Sequence, residues 1–173
     1  MLQLENNIIY LPPEIKVCQK GAFIKFNGSK GKEKLKLPFC CKIKVNSNKL
    51  YLKMIGNDNL EKTIKSIIHN IIQGVSRGFG IEIILIGTGY RCELQNNTLY
   101  FKLGFNHSVV MKIPEGININ ILKPSHFLVE GSNPEKLGQF VSTIQGFRPP
   151  EPYKGKGIVR VGEKIRRKQV TKS

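Results

Sequence analysis

The chain has 173 residues, 40% of them hydrophobic, and carries 28 Lys plus Arg against 12 Asp plus Glu, a formal net charge of +16. That apolar content suffices for one large or two small packed domains and excludes global disorder. The charge calls for an acidic partner and argues against a free cytosolic enzyme. It is also polarised: residues 1–56 carry +8, residues 57–147 carry +1 and residues 148–173 carry +7.

Taken in chain order, alternation of apolar and polar residues predicts strands at Phe23–Phe26, Lys34–Leu37, Ile43–Val45 and Leu50–Met54, separated by short turns carrying Asn and Gly. In Lys34-Leu35-Lys36-Leu37 and Lys42-Ile43-Lys44-Val45 the apolar residues point inward and lysine lines the other face. Such a face is either merely solvated or an electrostatic footprint. Two of them beside the turn Gly28-Ser29-Lys30-Gly31-Lys32 favour phosphate contact through Lys30, Lys32, Lys34 and Lys36, supplying affinity without sequence readout.

From Leu60 the apolar residues fall at Leu60, Ile64, Ile67, Ile68, Ile71, Ile72 and Val75, the stripe of an amphipathic helix resting on a sheet. Asp58 and Glu61 give a capping-box-like start, and Gly74 and Gly78 mark the end. Six further strands are expected at Ile81–Ile86, Tyr90–Leu94, Leu99–Leu103, Val109–Ile113, Ile117–Leu122 and Phe127–Val129. A second helix then begins with Ser132 and Glu135 in capping-box spacing and Pro134 near the first turn. Leu137, Phe140, Val141 and Ile144 share one face, and Gly146 suits the C-cap.

The two helix starts lie 74 residues apart, as do Lys62 and Lys136, and the alternating runs at Lys42–Val45 and 116–120 share that offset. The expected fold is therefore α+β, with two tandem repeated domains, each an antiparallel or mixed β-sheet covered by one α-helix. They are expected at residues 1–78 and 79–150, and residues 151–173 form a basic C-terminal RNA-binding strip and tail belonging to the second domain.

That strip is the most informative segment. In Arg148-Pro149-Pro150-Glu151-Pro152-Tyr153-Lys154-Gly155-Lys156-Gly157-Ile158, three prolines favour an extended backbone, Gly155 and Gly157 thin it, and Lys154 and Lys156 charge it. A rigid, thin, cationic strip suits a phosphate backbone, with Arg148, Tyr153 and Arg160 beside it. Lys164, Arg166, Arg167, Lys168 and Lys172 continue it as an arm that orders on RNA. Upstream, Gly87-Thr88-Gly89-Tyr90-Arg91 puts two glycines beside an aromatic and a cation. Tyr90 is there to stack and Arg91 to fork onto phosphate, or the segment is a β-bulge with a core tyrosine. His107 and Ser108 are placed to hydrogen-bond ribose or phosphate oxygens; His69 and His126 are assigned to packing or surface.

Cys18, Cys40, Cys41 and Cys92 show no Cys-x-x-Cys pair and no histidine at zinc spacing, so they read as buried thiols, with no metal or cofactor. No apolar run approaches the ~20 residues of a membrane helix. The first residues lack the basic and apolar regions of a secretory signal, and are too acidic for an arginine-rich transit peptide. Neither a Gly-x-Ser-x-Gly elbow nor a Gly-x-x-x-x-Gly-Lys-Ser/Thr loop occurs, and Asp58, the single aspartate, is used in capping. No enzyme and no small-molecule substrate are expected.

The strip closely resembles the C-terminal signature of the ribosomal protein L6 family, in which a proline pair, Glu-Pro-Tyr and a Lys-Gly-Lys-Gly run follow the last helix. In the same order, Asn27-Gly28-Ser29-Lys30-Gly31 resembles the family's first hairpin and Gly87-Thr88-Gly89-Tyr90-Arg91 its Gly-Val-Gly-Tyr-Arg strand. Gly104-Phe105-Asn106-His107-Ser108 resembles its Gly-Tyr-Ser-His-Pro turn, with Ser108 where proline is usual. The resemblance implies a duplicated fold and a structural role in the large ribosomal subunit. It further implies contact with large-subunit ribosomal RNA near the factor-binding region and the sarcin-ricin loop, beside neighbouring large-subunit proteins. The alternative is a free basic module for duplex DNA or anionic surfaces. Ile, Asn and Lys make up 58 of 173 residues, as A+T-rich genomes produce. With an N-terminus that departs from the bacterial Ser-Arg-Ile-Gly, this points to a mitochondrial ribosome, a plastid or bacterial one remaining open.

Overall fold

Period-two strands that each bury one face need a second layer, and the two amphipathic helices supply it. The structure, a computed structural model, describes residues 8–46, 48–54 and 58–168. The chain divides into two units, Met1–Phe79 with Ser132–Pro134, and Gly80–Gly131 with Glu135–Ser173.

The first unit runs β1 (Ile8–Tyr10), β2 (Lys16–Lys20), β3 (Phe23–Gly28), β4 (Gly31–Lys36), β5 (Cys41–Asn46), β6 (Lys49–Met54) and α1 (Asp58–Ser76). The strands form two antiparallel sheets, in the orders β1-β6-β5 and β2-β3-β4. Ile24 and Phe26 of β3, Leu50 and Leu52 of β6, and Ile64, Ile68, Ile72 and Val75 of α1 meet in one core. A fully buried side chain of this kind contributes about 1.5–3 kcal/mol. Leu60 and Ile67 are exposed, so the working stripe is narrower than the pattern suggested.

The helix passes through Gly74 and ends at Ser76. Gly78, at φ +79, donates to the Gln73 carbonyl at 3.2 Å and closes the end as a left-handed cap. Asp58 is the first helical residue, and its expected capping contact falls outside the described side chains. The turn between β3 and β4 sits on the same helix end: Lys30 N–H donates to Val75 O at 3.0 Å and Ser29 Oγ to Ser76 O at 2.9 Å. A Cβ on Gly28 would collide with that Val75 carbonyl, which fixes glycine there.

The second unit repeats the connectivity. It holds β7 (Phe79–Ile86), β8 (Arg91–Gln95), β9 (Thr98–Lys102), β10 (Val109–Lys112), β11 (Ile117–Lys123), β12 (His126–Gly131), α2 (Pro134–Phe147) and β13 (Gly157–Arg160). The sheet β10-β9-β8 matches β2-β3-β4, and β11-β12-β7 matches β5-β6-β1, with β13 added antiparallel to β7. Leu137, Phe140, Val141 and Ile144 are the buried face of α2, and Phe101, wholly buried, packs between Phe127 and Phe147 at centroid distances of 6.0 and 5.9 Å.

Several expectations are corrected here. Ser132 is buried in the first unit, where its hydroxyl donates to Glu33 Oε1 at 2.6 Å, and Pro134 is the first helical residue. Gly146 lies inside α2. Gly87 to Tyr90 is a turn rather than strand, with Tyr90 N–H donating to Gly87 O at 3.3 Å. Of the thiols, Cys41 and Cys92 are buried, Cys40 is half-buried and Cys18 is exposed. Among the described residues, no helix is long and apolar enough to cross a membrane.

Burial, with a smaller push from the Glu93 carboxylate, raises the Cys92 thiol to about 12. The folded value lies above the ordinary ~8.5, so the protonated thiol's stabilisation is complete below about pH 8.5 and is lost as pH climbs through the folded value. Urea midpoints should therefore fall on alkalisation less steeply in Cys92→Ala than in the parent chain. Parallel pH profiles would contradict this.

Candidate nucleic-acid interface

The C-terminal segment is a closed loop, not the extended strip its prolines suggested. Glu151 N–H donates to Lys156 O at 2.8 Å and Gly155 N–H to Glu151 O at 2.9 Å, folding Glu151–Lys156 back on itself with Pro152, Tyr153 and Lys154 in the turn. Tyr153, Lys154 and Lys156 are exposed. Lys168 N–H donates to Pro152 O at 2.9 Å, so the chain returns to brace the loop.

Gly155 and Gly157 are buried, and what lies against them is the protein itself. A Cβ on Gly157 would stand 2.7 Å from both Pro149 O and Pro150 Cα; one on Gly155 would meet the Arg167 guanidinium at 3.4 Å. Their thinness therefore serves internal packing, which corrects the reading of them as RNA-facing backbone. Arg148 is also turned inward. Its Nη1 donates to Leu103 O at 3.0 Å, and its guanidinium lies over Phe105 at 4.8 Å and Tyr90 at 5.5 Å. Arg160 is tied down through Nε to Gln145 Oε1 and Nη2 to Ser142 Oγ, each at 2.9 Å.

Tyr90 is half-buried, its ring 2.6 Å from where a Gly87 Cβ would be and 3.2 Å from a Gly104 Cβ. Glycine is needed at both positions because the ring occupies the space, so Tyr90 organises the turn. Arg91 pairs with Glu93 at 3.3 Å across an exposed surface, which partly offsets its charge. His107 and Ser108 are exposed, and His107 stacks on Phe105 with centroids 5.9 Å apart and planes 15° apart. Phe105, 43% exposed, was missed as a site residue; its signal was an aromatic in an otherwise polar turn.

Arg166, Arg167, Lys168 and Lys164 are exposed, and Lys172 lies outside the described residues. In the first unit, Lys30, Lys32, Lys34 and Lys36 all point to solvent. His69 is exposed, and His126 Nε2 stands 3.3 Å from Glu82 Oε2. Among the described residues, no group of three or more His, Cys, Asp or Glu is arranged to hold a metal ion.

A duplicated α+β scaffold thus presents cations and aromatics on its exposed turns. The profile of the family described as Ribosomal protein L6 matches residues 86–160. The large ribosomal subunit protein uL6 of Enterococcus faecalis is 39% identical over 175 residues, covering 98% of this chain and 97% of the relative. Those of Bradyrhizobium diazoefficiens and Xanthomonas campestris are 34% identical, covering 98% and 100% of this chain and the same shares of their own lengths. The chain belongs to the ribosomal protein L6 family, which is structural and non-enzymatic.

Proposed function

We propose that this protein is a structural component of the large ribosomal subunit that supports translation by binding large-subunit ribosomal RNA and bracing the factor-binding region near the sarcin-ricin loop, beside neighbouring large-subunit proteins. The observation that carries the reading is the Glu151–Lys156 loop, which is closed by its own backbone hydrogen bonds and holds Tyr153, Lys154 and Lys156 outward. A preorganised loop spends little ordering entropy on binding. Lys154, Lys156, Arg166, Arg167 and Lys168 supply phosphate contacts, while Tyr153, Phe105, His107 and Ser108 offer stacking and hydrogen bonds. Arg148, Tyr90, Gly155, Gly157 and Arg160 hold these groups in place.

Composition suggested a mitochondrial ribosome, but the relatives above come from bacteria and give that expectation no support. A bacterial ribosome is the reading adopted; bacterial genomes also reach the A+T content that enriches Ile, Asn and Lys.

Replacing Lys154 and Lys156 together with glutamine should leave thermal unfolding unchanged, because both are exposed. The same variant should lower subunit incorporation and reduce the slope of log affinity against log salt by about two units on ribosomal RNA. Parental incorporation and slope would remove the loop from the interface.

A further inference from the structure

The first unit carries a second cationic surface that only the strand register makes visible. Across β2, β3 and β4, the outward residues stand in three rows: Lys16–Asn27–Lys32, Cys18–Lys25–Lys34 and Lys20–Phe23–Lys36. All six lysines are exposed, and among the described residues none forms an ion pair. Glu33, the acidic residue of these strands, turns to the other side and accepts from Ser132. Lys25 and Lys34 are direct cross-strand partners, an arrangement that costs stability.

The fold does not demand this. The matching sheet of the second unit presents Arg91, Lys102 and Lys112 with Glu93, and Arg91 is paired with Glu93. Lysines repeating at about 7 Å along a strand and about 4.8 Å between strands make a flat grid of flexible point charges. Lysine is depleted at protein–protein interfaces, where arginine and apolar anchors dominate, and no arginine precedes Arg77 in this chain. The grid suits a sugar-phosphate backbone better than an acidic protein.

We propose that the outer face of the β2–β3–β4 sheet is an RNA-binding site in its own right, one that grips the backbone of folded RNA without sequence readout and is relieved of its lysine repulsion when covered. This rests on RNA being the partner, and deepens that reading by adding Lys16, Lys20 and Lys25 to it.

Cys18, exposed in the central row, is a built-in probe. The full chain is alkylated at Cys18 alone, with a short mixed-sequence RNA duplex, and with polyglutamate of equal charge. RNA should slow labelling several-fold, and polyglutamate should not. In parallel, Lys20→Gln/Lys25→Gln/Lys34→Gln should melt higher than the parent at low salt, the gain vanishing at high salt, and should lose about two to three units of salt slope on the duplex. Equal protection by polyglutamate would overturn the proposal in favour of an acidic protein. Unprotected Cys18 while Lys154→Gln/Lys156→Gln still weakens binding would overturn the face but leave RNA as the partner. No effect of either variant would sink both.

Discussion

Valine at Gly157 should abolish the native packing of the C-terminal segment. The residue holds φ +143, which a branched side chain does not adopt, and its Cβ would stand 2.7 Å from Pro149 O and Pro150 Cα and 2.8 Å from Pro150 N. All three are backbone atoms, so no flexible side chain can yield. Relief requires β13 to leave β7, exposing Ile158 and Val159, both now buried. A loss above about 4 kcal/mol is expected, large for one substitution. Gly155→Val should be milder: at φ +70 it strains the chain, but the nearest atoms belong to the movable Arg167 side chain, and about 1–2 kcal/mol is the expected cost. Urea unfolding of the two variants gives the comparison. Parental stability in Gly157→Val would contradict the packing described.

The second large effect is expected at Arg148. One guanidinium serves the Leu103 carbonyl and the faces of Phe105 and Tyr90, joining the end of α2 to the turns after β7 and β9. A charged hydrogen bond contributes about 1.5–3 kcal/mol, and each ring contact about 0.5–2 kcal/mol. These terms share one side chain and do not add fully, so Arg148→Ala should cost about 2–4 kcal/mol. Lysine should recover little, since an ammonium cannot present a flat face to one ring while forking onto a carbonyl. Full rescue by Arg148→Lys would show that charge alone matters at this position.

These two positions mark where the sequence could and could not be read. Periodicity located both helices and the strands from β3 to β12 because each buries one regular face: Ile64, Ile68 and Ile72 of α1, or Leu99 and Phe101 of β9. It missed β2, whose Lys-Val-Cys-Gln-Lys has one half-buried residue, and β1, which is three residues long. It also missed β13, hidden behind prolines and glycines that read as a loop. The chemistry of the C-terminal segment was legible as residue types but not as directions. Arg148, Gly155 and Gly157 turn inward because their partners, Leu103, Arg167 and Pro149–Pro150, meet them only through tertiary folding. The lysine grid had the same difficulty: Lys34 and Lys36 were visible on one strand, but their neighbours Lys25 and Lys20 came from register.

The most direct measurement is sedimentation of the tagged full-length protein with ribosomal particles from its own cells through a high-salt wash. Ribosomal placement predicts that it travels with the large subunit and stays after the wash, because contacts made on a folded particle combine stacking, packing and preorganised turns with phosphate attraction. A free basic module held by counterion release alone would be stripped as salt rises. Recovery in the soluble fraction, or with no preference for the large subunit, would contradict the account.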